Sequence, residues 1–325
     1  MFGARGKAST KQKRIRLIIT ACVVILCLLI ELLGRIPALP FNGWSDVFAW
    51  FGMPQARVIA EGELQVHFID VGNADCILVR QNDHNLLIDA GETRHDALLL
   101  DYFNRHGIDQ LDLVIATHPH ADHIGAMPAI IEHIPIERFV LSYMPEGQEP
   151  TTWVYTAMLE ALNKRSVPVD EAKAGAEYEL GTAKVQILSP SFTPETVEDA
   201  NEISVVTRIT FGENAFLFTG DAVVEAEAQM IAAGGSLDAD VLKVAHHGSK
   251  TATSPAFVKA VSPTYAVITC GENDYGHPNN EIVSRLNGIG AKIYRSDQHG
   301  DIVFVSDGQN LSVKCSKGDG SYARR

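Results

Sequence analysis

Between Thr117 and His123 the chain reads Thr-His-Pro-His-Ala-Asp-His, so His118, His120, Asp122 and His123 set three imidazoles and one carboxylate side by side. Neutral imidazole nitrogens and carboxylate oxygens are the donors that zinc and similar divalent cations select. The chemistry on offer is therefore that of a divalent-metal site, which can activate water at neutral pH. A polar loop enriched in histidine by accident is the competing reading. Four ligand-type residues straddling a strand-to-helix break argue against it. The apolar run Leu113-Val114-Ile115-Ala116 reads as a buried strand ending at Pro119, with a helix starting at Asp122. Alternate side chains share a face in extended backbone, so His118 and His120 point the same way, while Asp122 and His123 lie past the bend and turn toward a second cation.

Other apolar runs also end in ligand-type residues. Phe216-Leu217-Phe218-Thr219-Gly220-Asp221 brings a carboxylate to a strand end, where it could span two cations. Leu242-Lys243-Val244-Ala245-His246-His247-Gly248 brings two histidines, and on extended backbone one of them faces the metals and the other faces substrate or solvent. Tyr275-Gly276-His277-Pro278 adds a loop histidine able to hold a substrate oxygen or carry a proton near neutral pH. Asp70-Val71-Gly72 and Asp89-Ala90-Gly91 read as turn chemistry, with a structural or supporting role.

The pattern His-x-His-x-Asp-His, with Thr117 before it and Ile124-Gly125-Ala126 after it, resembles the signature of the metallo-β-lactamase superfamily, in the branch related to the competence protein ComEC. The resemblance runs from Glu63 to Lys314 with its motifs in order. It implies an αββα sandwich, two mixed sheets flanked by helices, with two divalent ions, zinc or alternatively manganese, at one edge. His118 and His120 then serve a first site and Asp122, His123 and His247 a second, with Asp221 bridging. His246 faces substrate, although the spacing leaves an exchange of His246 and His247 open. Asp122, His246 and His277 are the expected catalytic groups. Many members of the superfamily carry one more histidine before the bridging carboxylate. Here His133, in the helix after the motif, is the only histidine between His123 and Asp221, and Asn201-Glu202-Ile203-Ser204 instead resembles the Asn-x-x-Ser element of the ComEC branch. The first site is therefore expected to hold its ion more weakly.

The rest of the pattern supplies the scaffold. Strands are expected at 64–69, 76–79, 85–88, 113–116, 138–141, 185–188, 204–211, 215–218, 241–244, 265–269, 292–294, 302–305 and 311–314, with helices at 96–103, 122–133, 151–164, 223–233, 255–261 and 281–286. This order suits two packed sheets with helices outside.

The 325 residues, 46% of them hydrophobic, are enough for a substantial core. Residues 1–16 hold Arg5, Lys7, Lys11, Lys13, Arg14 and Arg16 and no acid. Residues 17–33 are apolar apart from Thr20 and Glu31, which is the pattern of a short signal anchor with the chain beyond it outside the cytoplasm. A cleaved signal peptide with secretion is the alternative. Residues 34–62 read as a linker, 63–315 as the hydrolase domain and 316–325 as a tail. Cys76, Cys270 and Cys315 are too few and too scattered for a disulfide framework.

Without its six basic tail residues the net charge of −13 becomes roughly −19, poor for a sequence-independent DNA binder. The expected partners are a lipid bilayer and a phosphodiester, either DNA or a small or cell-wall compound. Hydrolysis of a small ester, lactone or lactam is one alternative, and a membrane-tethered binding module without catalysis is another.

Overall fold

A computed structural model describes Thr20, Ile25, Leu29 and residues 62–191 and 196–318. Most of the expected anchor at 17–33 lies outside these residues, and among the described residues no helix is long and apolar enough to cross a membrane.

The strands are β1 (Leu64–Phe68), β2 (Ile77–Gln81), β3 (His84–Ile88), β4 (Leu113–Ala116), β5 (Phe139–Leu141), β6 (Val169–Glu171), β7 (Glu177–Leu180), β8 (Ala183–Ser189), β9 (Val206–Phe211), β10 (Asn214–Phe218), β11 (Val241–Lys243), β12 (Tyr265–Ile268), β13 (Lys292–Arg295), β14 (Ile302–Ser306) and β15 (Leu311–Cys315). The helices are α1 (Asp96–Arg105), α2 (Ala121–Ile124), α3 (Met127–His133), α4 (Trp153–Arg165), α5 (Val224–Ala233), α6 (Pro255–Val261), α7 (Asn280–Gly288) and α8 (Ser296–His299). One sheet runs β15-β14-β1-β2-β3-β4-β5-β6 and the other β13-β12-β11-β10-β9-β8-β7.

Alternation in β1 shows how the layers arise. Leu64, Val66 and Phe68 point between the sheets, where they join Phe216, Phe218 and Phe304 in one apolar interior. Gln65 and His67 point the other way, and there His67 Nδ1 meets the Tyr102 hydroxyl of α1 at 2.7 Å. Leu99 and Phe103 of α1, Ile130 of α3 and Met158 of α4 cover the outer face of the first sheet. Met230 of α5, Phe257 of α6 and Leu286 of α7 cover that of the second. The result is the expected αββα sandwich.

Within each sheet one half is parallel: β3 to β6 in the first, and β10 to β13 in the second. The carboxyl ends of parallel strands are where open α/β sheets place their ligands.

Three expectations need correction. The helix expected over 122–133 is two helices, because Gly125 is pressed against Thr93 N and Ala121 O, which leaves no room for a Cβ, and Pro128 starts a new turn. The strand expected from Ser204 starts at Val206, since Ala200–Ile203 coil into a 3₁₀ turn capped by Asp199. The backbone at His246 and His247 is not extended: both residues are left-handed, with φ of 50° and 52°. Strands β6 and β7 and helix α8 were not expected at all. The first two are short, and their mixed exposure leaves little apolar periodicity.

Candidate metal centre

Each candidate ligand sits just beyond a strand end. β4 delivers Thr117 and His118, and α2 then turns Asp122 and His123 back over the strand edge. β10 delivers Asp221, and β11 delivers His246 and His247. The two sheets meet closely here. Gly220 has φ of +49°, and a Cβ on it would lie 2.9 Å from that of Thr117. Only a glycine lets the β10 loop come this near to β4.

Asp122, His123, Asp221 and His247 bring one ligand atom each within 4.8 Å of one another. His123 Nε2 is 3.3 Å from Asp221 Oδ1, and His247 Nε2 is 3.4 Å from Asp122 Oδ2. The other nitrogen of each ring is engaged: His123 Nδ1 with Asp89 Oδ2 at 2.7 Å, and His247 Nδ1 with the Thr269 carbonyl at 2.8 Å. His123 Nε2, His247 Nε2 and Asp221 Oδ1 are buried without hydrogen-bond partners. Buried polar atoms normally have partners, so three converging orphans fit a cation that takes all of them.

His118 and His120 form a neighbouring pair, with Nε2 and Nδ1 3.0 Å apart. His246 is partly exposed, with Nε2 3.7 Å from Asp221 Oδ2, and its ring lies 5.5 Å from that of His277. A cavity of about 340 Å³ connects these groups, lined by His120, Asp122, Asp221, His246, His247 and His277. The expected site residues thus gather in one place, except that His118 and His123 lie beneath the cavity wall and not on it. His133 is elsewhere, turned back on its own helix through the Ala129 carbonyl.

Burial alone would raise the Asp221 pKa, but His123 and His247 outweigh it and hold the carboxylate ionised, well below the usual range. The converse holds for His123. Burial favours its neutral form, yet Asp221, Asp89 and Asp122 raise its pKa well above the ordinary imidazole value. Burial and the neighbouring His123 push His118 far down. His246 is lowered mainly by burial, and His277 by burial and then by His246. Both rings are therefore neutral at physiological pH.

Three supporting groups were missed or underweighted in the sequence. Asp89, read as turn chemistry, accepts hydrogen bonds from the Thr117 amide and hydroxyl at 2.8 and 2.7 Å, so it fixes the motif as well as orienting His123. Asp75 lies beneath the site, where it takes Thr269 Oγ1 at 2.5 Å and Lys243 Nζ at 2.5 Å. Lys243 is fully buried and also donates to the Gly220 carbonyl at 3.0 Å. A lysine in an apolar strand was the available signal. Asp70, by contrast, faces Lys317 at 3.0 Å.

The sequence profile of the metallo-beta-lactamase superfamily matches residues 69–272. The chain belongs to that superfamily. It is 30% identical to ComE operon protein 3 of Bacillus subtilis over 75% of this chain and 33% of that one. It is 29% identical to the competence protein ComA of Neisseria gonorrhoeae over 89% of this chain and 38% of that one. The chain spans about a third of the length of these relatives. The crystal structure of the metallo-beta-lactamase fold protein YhfI from Bacillus subtilis superposes with a TM-score of 0.51, covering 75% of this chain and 100% of that one at 14% identity, a likeness of fold.

Proposed function

We propose that this metallo-beta-lactamase relative is a membrane-anchored phosphodiesterase working outside the cytoplasm. The observation that carries the reading is the convergence of unpartnered His123 Nε2, His247 Nε2 and Asp221 Oδ1 beside an open cavity. Asp122, His123, Asp221 and His247 would hold one divalent ion, and His118 and His120, sharing Asp221, a second. Such ions lower the pKa of bound water from about 15.7 toward about 7 and offset charge on a phosphoryl centre.

The chain's own groups do the rest. The Asp122 carboxylate, one-third exposed and held ionised by His123 and His247 against the effect of burial, accepts a hydrogen bond from the attacking water. Neutral His246, facing the cavity, donates its ring N–H to a phosphoryl oxygen. His277 sits beside His246 with Nδ1 unpartnered and its loop clamped by Asn273, which donates to the His277 carbonyl and accepts from the His277 amide. From there its neutral ring donates an N–H hydrogen bond to the leaving oxygen.

A small or cell-wall phosphodiester fits better than duplex DNA. The groove next to the cavity is lined by Glu92, Asp122, Glu272 and Asp274, and its one guanidinium, Arg94, is paired with Glu92. Phosphate-tracking proteins instead gather unpaired cations. Single-stranded DNA is kept as a second reading because the relatives bear competence names.

The test is hydrolysis of bis-p-nitrophenyl phosphate, then of single- and double-stranded DNA, by metal-depleted and metal-reloaded protein. Turnover restored only by divalent ions supports the reading. Undiminished turnover after depletion, or none with any ion, refutes it. For location, the basic residues of 1–16 followed by the apolar run 17–33 support an anchor. Protease treatment of intact cells should then remove the hydrolase domain, and survival until lysis would count against this placement.

A further inference from the structure

His133, the only histidine between the motif and Asp221, is turned away from the site, whereas Asn201 reaches it. Asn201 is 4% exposed and lines the same cavity as His120 and Asp221. Its turn is tied to both sides of the site. The Val205 amide donates to the Thr117 carbonyl at 2.9 Å, next to His118, and Ser204 Oγ accepts from the Asp221 amide at 3.3 Å.

The side chain has a defined direction. Asp199 accepts the Asn201 backbone amide at 3.0 Å and the side-chain Nδ2 at 3.4 Å. With the nitrogen held there, Oδ1 is left buried and without a hydrogen-bond partner. A buried acceptor left unmatched is destabilising. A neutral amide oxygen in that position calls for a proton donor or a cation.

We propose that Asn201 Oδ1 is the fourth protein donor, beside His118, His120 and the shared Asp221, to the ion of the first site. This rests on the metal-dependent reading above and deepens it. Replacing an imidazole by an amide oxygen has two chemical consequences. The first site binds more weakly than the second, which has two imidazoles and two carboxylates. It is also harder, so it accepts manganese-type ions that favour oxygen donors, whereas the second suits zinc.

The experiment uses the full chain, stripped by chelation and titrated with Mn²⁺ or Zn²⁺. Bound metal is counted by elemental analysis and the Mn²⁺ environment followed by electron paramagnetic resonance. Wild type should bind two Mn²⁺ ions. Asn201→Ala should keep the tighter one and weaken the other about tenfold or more, while Asn201→Asp, which supplies a charged oxygen at the same reach, should bind the second ion at least as well as wild type. Two ions bound by Asn201→Ala with unchanged affinity would overturn the proposal and leave the metal-dependent reading standing, as would a wild type that holds one ion only. Absence of any bound ion in wild type would remove both. If the alanine variant fails to fold, the aspartate variant decides: weaker retention than wild type contradicts a ligand role.

Discussion

Asp89 Oδ2 lies 2.7 Å from His123 Nδ1, and both side chains are fully closed to solvent. This contact decides which nitrogen of the ring remains for a cation. A ligand histidine whose outer nitrogen is held by a carboxylate is fixed in tautomer and orientation, and losing such a partner typically costs about 10–100-fold in metal affinity. Asp89→Ala is expected to weaken metal binding by that factor in calorimetric titration. Unaltered affinity would mean that the contact serves folding alone.

Removing a ligand itself should cost far more. In Asp122→Ala or His123→Ala, phosphodiester turnover is expected to fall by orders of magnitude and bound metal to drop, while the circular dichroism spectrum stays that of the wild type. Loss of activity with full metal content would assign these residues to substrate binding instead.

The charge state of His123 sets a pH dependence. In the metal-free protein Asp221, Asp89 and Asp122 overcome burial and raise its pKa, and Asp221 and Asp122 act likewise on His247. A group with a raised folded pKa contributes stability that is complete below its unfolded value near 6.5 and is lost as pH rises through the folded value. Thermal stability of metal-free protein should therefore decline on going alkaline of neutrality. Metal affinity should climb over the same interval, because the ion must displace those protons. Thermal scans of chelated protein and calorimetry in two buffers of different ionisation heat test both halves. No proton release on binding would contradict the assignment.

Lys243 and Asp75 form a buried ion pair, and removing one partner of such a pair costs about 3–5 kcal/mol because the other charge is stranded. Lys243→Met is expected to destabilise by that amount in urea unfolding, and adding Asp75→Asn should recover a large part. Additive losses would show that the two charges act independently.

The sandwich was legible because its central strands are short, continuous apolar runs bounded by Gly, Asn and Asp, and the ligands were legible because they sit where those runs stop. What escaped depends on contacts distant in sequence. Asp75 and Lys243 meet because β11 of one sheet packs against the loop before β2 of the other, which no local pattern encodes. The left-handed pair His246–His247 reads in sequence like ordinary strand continuation. Left-handed backbone costs a non-glycine residue roughly 1–2 kcal/mol, and such strain collects at functional sites. Here it turns both adjacent rings toward Asp221, each with Nε2 3.7 Å from Oδ2, His247 buried against Asp122 and His246 open to the cavity.

Asp122 and His123 come from helix α2 after β4 of one sheet, and Asp221 and His247 follow β10 and β11 of the other. An ion held by all four is a crosslink between positions roughly 125 residues apart along the chain, and clips that close long loops restrict the unfolded ensemble most. Cys76, Cys270 and Cys315 are free thiols. If the domain works outside the cytoplasm, as proposed, where secreted proteins commonly rely on disulfides, the ion would serve as the staple, and chelation would then disarm the enzyme and loosen the seam between its sheets in a single step.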